Sequence, residues 1–171
     1  MSTPGITRIL VATDFSETSE LALDYAKAMA KWFGACIHLL HVLDEPPAPS
    51  TLSEELFAEE WTALCTARHE RTRQRLQGIL SADEGVRFRA TGEVRTGRAA
   101  ETIRDVAVER GADLIVMGTH GRGGVAHLLL GSVAEKVVRI APCAVLTVRP
   151  DVAGRATARD AALSCQRATV R

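Results

Sequence analysis

The sequence predicts an α/β domain, a doubly wound, five-stranded parallel sheet with helices on both faces. Short apolar stretches of strand length alternate with longer stretches in which apolar residues recur three or four apart. One short stretch, Leu114 to Met117, is continuously apolar, as a strand buried on both faces must be. It stops at Gly118 and runs into a glycine-rich loop, after which a helical pattern resumes.

In chain order, Ile6 to Ala12 reads as a strand and Thr13-Asp14-Phe15-Ser16 as its exit turn, with Ser16 placed to cap the next helix. From Ser19 to Phe33, the residues Ala22, Tyr25, Ala26, Met29 and Phe33 fall on one helical face, and Gly34 stands where a helix-ending glycine belongs. Cys36 to Leu43 is almost wholly apolar and predicts an interior strand. Asp44 to Ser50 holds three of the six prolines and reads as a loop. Thr51-x-x-Glu54 has the spacing of a capping box and opens a long helix over Ser53 to Leu80. Its charge is lopsided: Glu54, Glu55, Glu59 and Glu60 come early and Arg68, Arg71, Arg73 and Arg75 late. That order suits the helix dipole and needs no ligand to explain it.

After Gly85, the run Val86 to Ala90 alternates as a half-exposed edge strand does. Gly97 to Gly111 predicts a helix with Ile103, Val106 and Ala107 inward. Beyond the strand and loop already described, Gly131-Ser132 opens an amphipathic stretch carrying Val133, Val137, Ile140 and Ala141. The last strand, Ala144 to Val148, ends at Arg149-Pro150. Residues 151–171, with four arginines against two aspartates and sparse apolar residues, read as a mobile or loosely docked tail. A short helix over Thr157 to Gln166 is the one element expected there. The domain is thus expected to occupy residues 1–150.

A chain of 171 residues is long enough for one domain with a substantial core. Lys and Arg balance Asp and Glu at 21 each, which removes any electrostatic reason to expect nucleic acid or an anionic membrane as the main partner. No apolar run approaches the ~18 residues of a spanning helix, and the first residues lack the pattern of a signal peptide. The chain is expected in the cytosol. Cys36, Cys65, Cys143 and Cys165 form no CxxC pair, which argues against a zinc site and a disulfide framework and for free thiols.

The loop after Gly118 carries the chemistry. Gly118, Gly121, Gly123 and Gly124 accept positive φ and let another molecule approach the backbone closely. The N–H groups and dipole of the helix that follows favour phosphate, and Ser132 puts a hydroxyl where N-caps are found. A Walker A loop would place a lysine after Gly131, where Ser132 stands. Gly121-x-Gly123-x-x-Ala126 fits a relaxed dinucleotide fingerprint. That fingerprint, however, belongs to the first βα turn and needs an acidic residue about 20 positions on, where this chain has Leu146. His38 and His41 enclose Leu39-Leu40 instead of the glycine of an HxGH nucleotidyltransferase motif. His120 and His127 lack a third metal ligand. No Ser-His-Asp ordering, GxSxG elbow or close carboxylate pair is present. Only Asp14, His120 and Arg122 are near the loop, so tight binding with slow or negligible turnover is expected.

Gly118-x-x-Gly121, nine residues, then Gly131-Ser132 is the pattern G-x2-G-x9-G-[ST]. It resembles the nucleotide loop of the ATP-binding branch of the universal stress protein family. The resemblance continues through Val11 to Ser16, Leu40-His41-Val42, Gly97 to Ile103 and Val145 to Arg149, about residues 5–150. Ala144 departs from it, standing where the family commonly has a proline. The resemblance implies a Rossmann-like sheet of order 3-2-1-4-5, with Asp14 and Gly118 facing one crevice at the switch point between the first and fourth strands.

It further implies nucleotide contact by Ala12, Thr13 and Asp14, with Val42 and Met117 lining the adenosine. The backbone amides of Gly118, Gly121, Gly131, Ser132 and Val133 would hold the phosphates, and Arg122 would lie along them. The implied ligand is ATP, or ADP or AMP, with Mg2+ reached by Asp14 through water. The implied role is a nucleotide-responsive stress or signalling module with an unidentified protein partner. It is expected to be a homodimer through Val145, Leu146, Thr147 and Val148 of the last strand, with no part for nucleic acid or membrane. Two other readings stay open: a true ATPase or phosphotransferase, and a nucleotide-free dimeric interaction module.

Overall fold

In the computed structural model, which describes residues 5–44, 58–119 and 131–149, the chain runs β1 (Arg8–Ala12), α1 (Glu17–Phe33), β2 (Cys36–Leu43), α2 (Ala58–Gln77), α3 (Ala82–Arg87), β3 (Thr91–Thr96), α4 (Ala99–Arg110), β4 (Leu114–Gly118), α5 (Ser132–Ile140) and β5 (Ala144–Val148). The Thr51/Glu54 capping box, the start of the long helix, Cys165 and the tail lie outside the described residues. All strands pair in parallel in the order β3-β2-β1-β4-β5, as expected.

Strand side chains alternate between two cores. Ile9, Val11, Ile37, Leu39, Leu114 and Val116 pack under α1, α2 and α3. Leu10, Leu40, Ile115 and Met117 pack under α4 and α5, where Ile103, Val106, Ala107, Ala134 and Val137 meet them. Both faces of β1 and β4 are therefore covered, which is why Leu114 to Met117 reads as a continuous apolar run and Ile9 to Ala12 carries no polar residue. Cys36, Cys65 and Cys143 are free and half-buried.

Helix α1 starts at Ser16, whose hydroxyl accepts the Ser19 N–H, and ends at Gly34 in the left-handed region at φ 68°. Its buried face is Ala22, Leu23, Ala26 and Ala30, not the face expected from the aromatics: Tyr25 and Phe33 are 52% and 54% exposed. The selecting property is size. Alanines let α1 lie close to the sheet, and the closeness is greatest at its first turn, where a Cβ added to Gly118 would stand 2.8 Å from Thr18 Cγ2 and 3.3 Å from the Thr18 backbone carbon. In α5 the inward residues are Ala134 and Val137, while Val133 is 39% exposed and Ala141 is already the C-cap.

The edge strand expected at Val86 to Ala90 is a helix end and a turn. Ser81 and Glu84 form a reciprocal capping box, which starts α3 at Ala82 and carries it through Gly85. Its neighbour α2 accordingly stops at Gln77, short of the expected Leu80. Phe88 follows α3 as a buried plug, and the strand comes later, at Thr91 to Thr96, with Val94 as its buried residue. Local capping here outweighs a short alternation of arginine and apolar residues.

On the α4 side, β3 carries a polar network. Glu93 Oε1 accepts from His38 Nε2 at 2.8 Å and from Arg110 Nη2 at 2.8 Å, and its Oε2 accepts from Arg95 Nε at 2.5 Å. Burial opposes ionisation of Glu93, but these hydrogen bonds outweigh it and hold its pKa down to about 2. Burial lowers the His38 pKa more than Glu93 raises it. The ring is therefore neutral at neutral pH. With the carboxylate accepting at Nε2, its Nδ1 accepts from the Thr91 hydroxyl at 2.7 Å.

Two consequences are measurable. Gly118→Ala is expected to cost about 1–3 kcal/mol by overpacking against Thr18 and to lower the urea midpoint, with partial recovery in Gly118→Ala/Thr18→Ala. Glu93 has a depressed folded-state pKa, so its contribution is complete above its ordinary value of 4.5 and lost as pH falls toward about 2. Glu93→Gln is expected to unfold at lower urea near neutral pH and to lose less stability than the wild type across that acid window.

Candidate functional site

The exit of β1 is held in place from three sides. The Thr13 N–H donates to the Leu40 carbonyl at 2.9 Å, and the Thr13 carbonyl accepts His41 Nδ1–H at 2.7 Å, which fixes that tautomer. The Thr13 hydroxyl accepts the Phe15 N–H at 3.0 Å and hydrogen-bonds with the Ser19 hydroxyl at 3.0 Å. Asp14 Oδ1 accepts from the Ser16 N–H at 3.1 Å and the Ser16 hydroxyl at 2.6 Å, so the helix cap also aims the carboxyl. Between them, Phe15 takes φ 63°, a conformation that costs a bulky residue of order 1–3 kcal/mol. Its ring lies 4.5 Å from the His41 ring, and the Arg75 guanidinium sits 4.2 Å from its centroid.

The exit of β4 faces this turn across the switch point. Ala12 is opposite Met117 on one side and Leu40 on the other, with Val42 two residues further along β2. Met117 is buried in the core under α4 and α5. Gly118 keeps a φ outside the left-handed region; what requires glycine there is Thr18. Thr119, 1% exposed, donates its N–H to the Val148 carbonyl at 2.7 Å and accepts the Gly131 N–H at 2.8 Å. The start of α5 is thereby tied to the end of β4.

Gly131 is the N-cap of α5 and Ser132 its first helical residue, so the helix starts one place earlier than the expected cap at Ser132. A glycine cap has no side chain to offer, and no side-chain hydrogen bond closes this helix end. The first-turn N–H groups therefore have no side-chain acceptor at the helix end, and Ser132 beside them is exposed. Val133 follows, partly exposed. Gly121, Arg122, His120 and His127 lie outside the described residues. Among the described residues, no group of three or more His, Cys, Asp or Glu is placed to hold a metal ion. The arrangement offers hydrogen-bond donors, a positive helix end and one aimed carboxylate, the chemistry of an anion-binding crevice.

Three participants escaped the sequence reading. Thr18 and Thr119 are short polar residues whose role is close packing and a two-sided backbone link, and nothing in their spacing announces it. Phe15 read as one more turn residue; its positive φ has no local sequence signal. A cleft of about 400 Å³ opens beside Asp14 toward α2, lined in part by Arg68, Arg71 and Arg75.

Comparison with known proteins matches residues 5–149 to the universal stress protein family. A universal stress protein of Thermus aquaticus, described as lying in the QAH/OAS sulfhydrylase 3′ region, is 39% identical over 141 residues, spanning 82% of this chain and 97% of its own. Universal stress protein MJ0577 of Methanocaldococcus jannaschii is 33% identical over 155 residues, spanning 83% of this chain and 94% of its own. The structure of MJ0577 superposes with a TM-score of 0.73 over 86% of this chain and 99% of that one. A universal stress protein solved in complex with cAMP, 23% identical with a TM-score of 0.54 over 85% of this chain and 98% of that one, shows a shared fold alone. By family match, identity and superposition, the chain belongs to the universal stress protein family.

Proposed function

We propose that this chain is an ATP-binding universal stress protein, a nucleotide-responsive module that acts through occupancy and partner contact and not through fast turnover. The observation that carries the reading is the start of α5, whose Gly131 cap supplies no side-chain acceptor, tied through Gly131 N–H and Thr119 to the end of β4 beside the β1 turn. The glycine spacing that precedes it is the second support. Since the Gly131 N–H already donates to Thr119, the phosphates fall to the N–H groups of Ser132 and Val133, the Ser132 hydroxyl, and Gly121 and Arg122 of the loop. Gly118 contributes by leaving the strand end without a side chain. Ala12, Thr13, Val42 and Met117 frame the adenosine, and Asp14 accepts from a ribose hydroxyl.

A single aimed carboxylate suits Mg2+ brought in on the nucleotide, because that ion keeps several waters and takes one or two protein oxygens beside the phosphates. Among the described residues at the crevice, Asp14 is the carboxylate available to a water, which accords with slow or negligible turnover; ADP or AMP is the alternative ligand. The proposed setting is cytoplasmic, with residues 1–150 as the functional domain and residues 151–171 as an appended tail. No helix among the described residues is long and apolar enough to cross a membrane.

The proposal includes a homodimer through β5. That strand pairs with β4 alone among the described strands, and an apolar edge left open invites another strand. Because the Val148 carbonyl accepts from Thr119, Val148 and Leu146 address β4, while Val145 and Thr147 address the open edge.

Mass spectrometry of the nucleotide released on denaturing freshly purified protein is expected to show ATP or ADP near one per chain, lost in Gly121→Val/Gly131→Val. Empty wild-type protein that gains no thermal stability from Mg-ATP would overturn the nucleotide reading. In sedimentation equilibrium, wild type is expected at twice its 18.4 kDa monomer mass. Thr147→Pro, which removes an outward N–H and spares the β4 ladder, is expected to be monomeric.

A further inference from the structure

The late arginines of α2 divide into two sets. Arg73 forks onto Glu70, with Nε to Oε2 and Nη2 to Oε1 both at 2.9 Å. Arg68, Arg71 and Arg75 stand at i, i+3 and i+7, on one helical face, and pair with no carboxylate among the described residues. All three line the cleft of about 400 Å³ whose opposite wall is the carboxyl ends of β1 and β2. Only Arg75 lies in the last turn of α2, so the helix dipole, which falls off within that turn, does not account for Arg68 and Arg71 as the sequence order suggested.

The cleft is polarised. Asp14 and Asp44 lie on the strand side and the guanidinium groups on the helix side. Arg75 is steadied by its stack on Phe15, which Asp14 and Ser16 in turn bracket. Guanidinium groups match the oxygens of a phosphate in a two-pronged fork, a geometry that a dispersed lysine cluster would not supply. The strand-side carboxylates accept from hydroxyl or amino groups. A volume of about 400 Å³ takes a group of nucleotide or sugar-phosphate size.

We propose that Arg68, Arg71 and Arg75 form a second anion site, on the α2 side of Asp14 and separate from the glycine loop, that takes the phosphate group of a small phosphorylated ligand. The phosphate is either that of an independent small ester or a second phosphate on a nucleotide lying across Asp14. The site does not depend on the loop being occupied.

The test uses the full chain and inorganic pyrophosphate as probe. In the Gly121→Val/Gly131→Val background, isothermal titration is expected to show pyrophosphate binding that Arg68→Gln/Arg71→Gln weakens about tenfold or more. Both arginines are exposed and glutamine is a good helix former, so circular dichroism of the variants is expected to match the parent. In unsubstituted protein, the Nε–H resonances of Arg68 and Arg71 are expected to shift on titration, which reads the site with no variant at all.

The source of the phosphate follows from comparing AMP with adenosine 3′,5′-bisphosphate. A bisphosphate that binds about tenfold tighter, with the advantage lost in the arginine variant, assigns both phosphates to one ligand. Equal binding of the two, with pyrophosphate still binding in the presence of AMP, assigns an independent ester. Pyrophosphate that leaves the arginine resonances unmoved, or binds the loop-disabled protein equally with and without the arginines, overturns the site whatever ATP does at the loop.

Discussion

One oxygen of Asp113 ties together the feet of the two strands on which the candidate crevice stands. Its Oδ2 accepts from the Thr7 N–H at 2.8 Å, the Thr7 hydroxyl at 2.7 Å and the Arg8 N–H at 2.9 Å, and those bonds, the Thr7 hydroxyl foremost, hold its pKa below the usual carboxylate value. The Asp113 N–H returns the link to the Arg8 carbonyl at 2.9 Å. The foot of β1 is thereby locked to the foot of β4, with Ile9 opposite Leu114, across more than half the chain. A slip of one residue would turn Ile9 and Val11 toward α4 and Leu10 toward α1, exchanging the two cores. Because the register starts there, the far ends of the same strands deliver Ala12 opposite Met117, and Asp14 and Gly118 just beyond them.

From that pairing, α1 leaves β1 to one face and α5 follows β4 on the other. The crevice is the gap their departure opens, and its walls are set by how closely α1 approaches. The alanine stripe and the Thr18 contact bring α1 onto the sheet. Gly118 is accordingly fixed by packing before any ligand is considered. Phe15 pays for the sharp exit from β1 with a left-handed backbone, and its contacts with His41 and Arg75 keep it there. The β1 turn thereby touches α2 through Arg75.

The order of elements was legible because burial on two faces leaves a plain trace: Leu114 to Met117 and Ile9 to Ala12 carry no polar interruption. Strand β3 was misplaced because its own sequence, TGEVRT, has a single buried apolar residue, while the preceding helix ends in an alternation that imitates a strand. The signal that resolves it, Ser81-x-x-Glu84, is of the same kind as the Thr51-x-x-Glu54 spacing read upstream. The buried face of α1 was rotated because aromatic weight suggests an interior where the fold requires small side chains. At the candidate site, positions along the strands followed from the pattern, whereas the Gly131 cap and the Thr119 link depend on backbone partners that side-chain spacing does not encode. The α2 arginines were accounted for by their own helix, since nothing local reveals which strand ends they will meet.

The two margins of the sheet differ in kind. At β3, the charges of Glu93 and Arg95 point onto the α4 face and are tied to His38, Arg110 and Glu109, so a strand arriving there would have to lie beside a fixed ionic array. At β5 the outer residues are apolar or a lone threonine. A sheet adhesive on both margins can add copies without end and grow into a ribbon. In the dimer proposed through β5, a two-fold contact would use up that edge in both chains at once. The ionic array at β3 would then leave the other margin unsuited to a further strand, and the proposed assembly would stop at a closed pair.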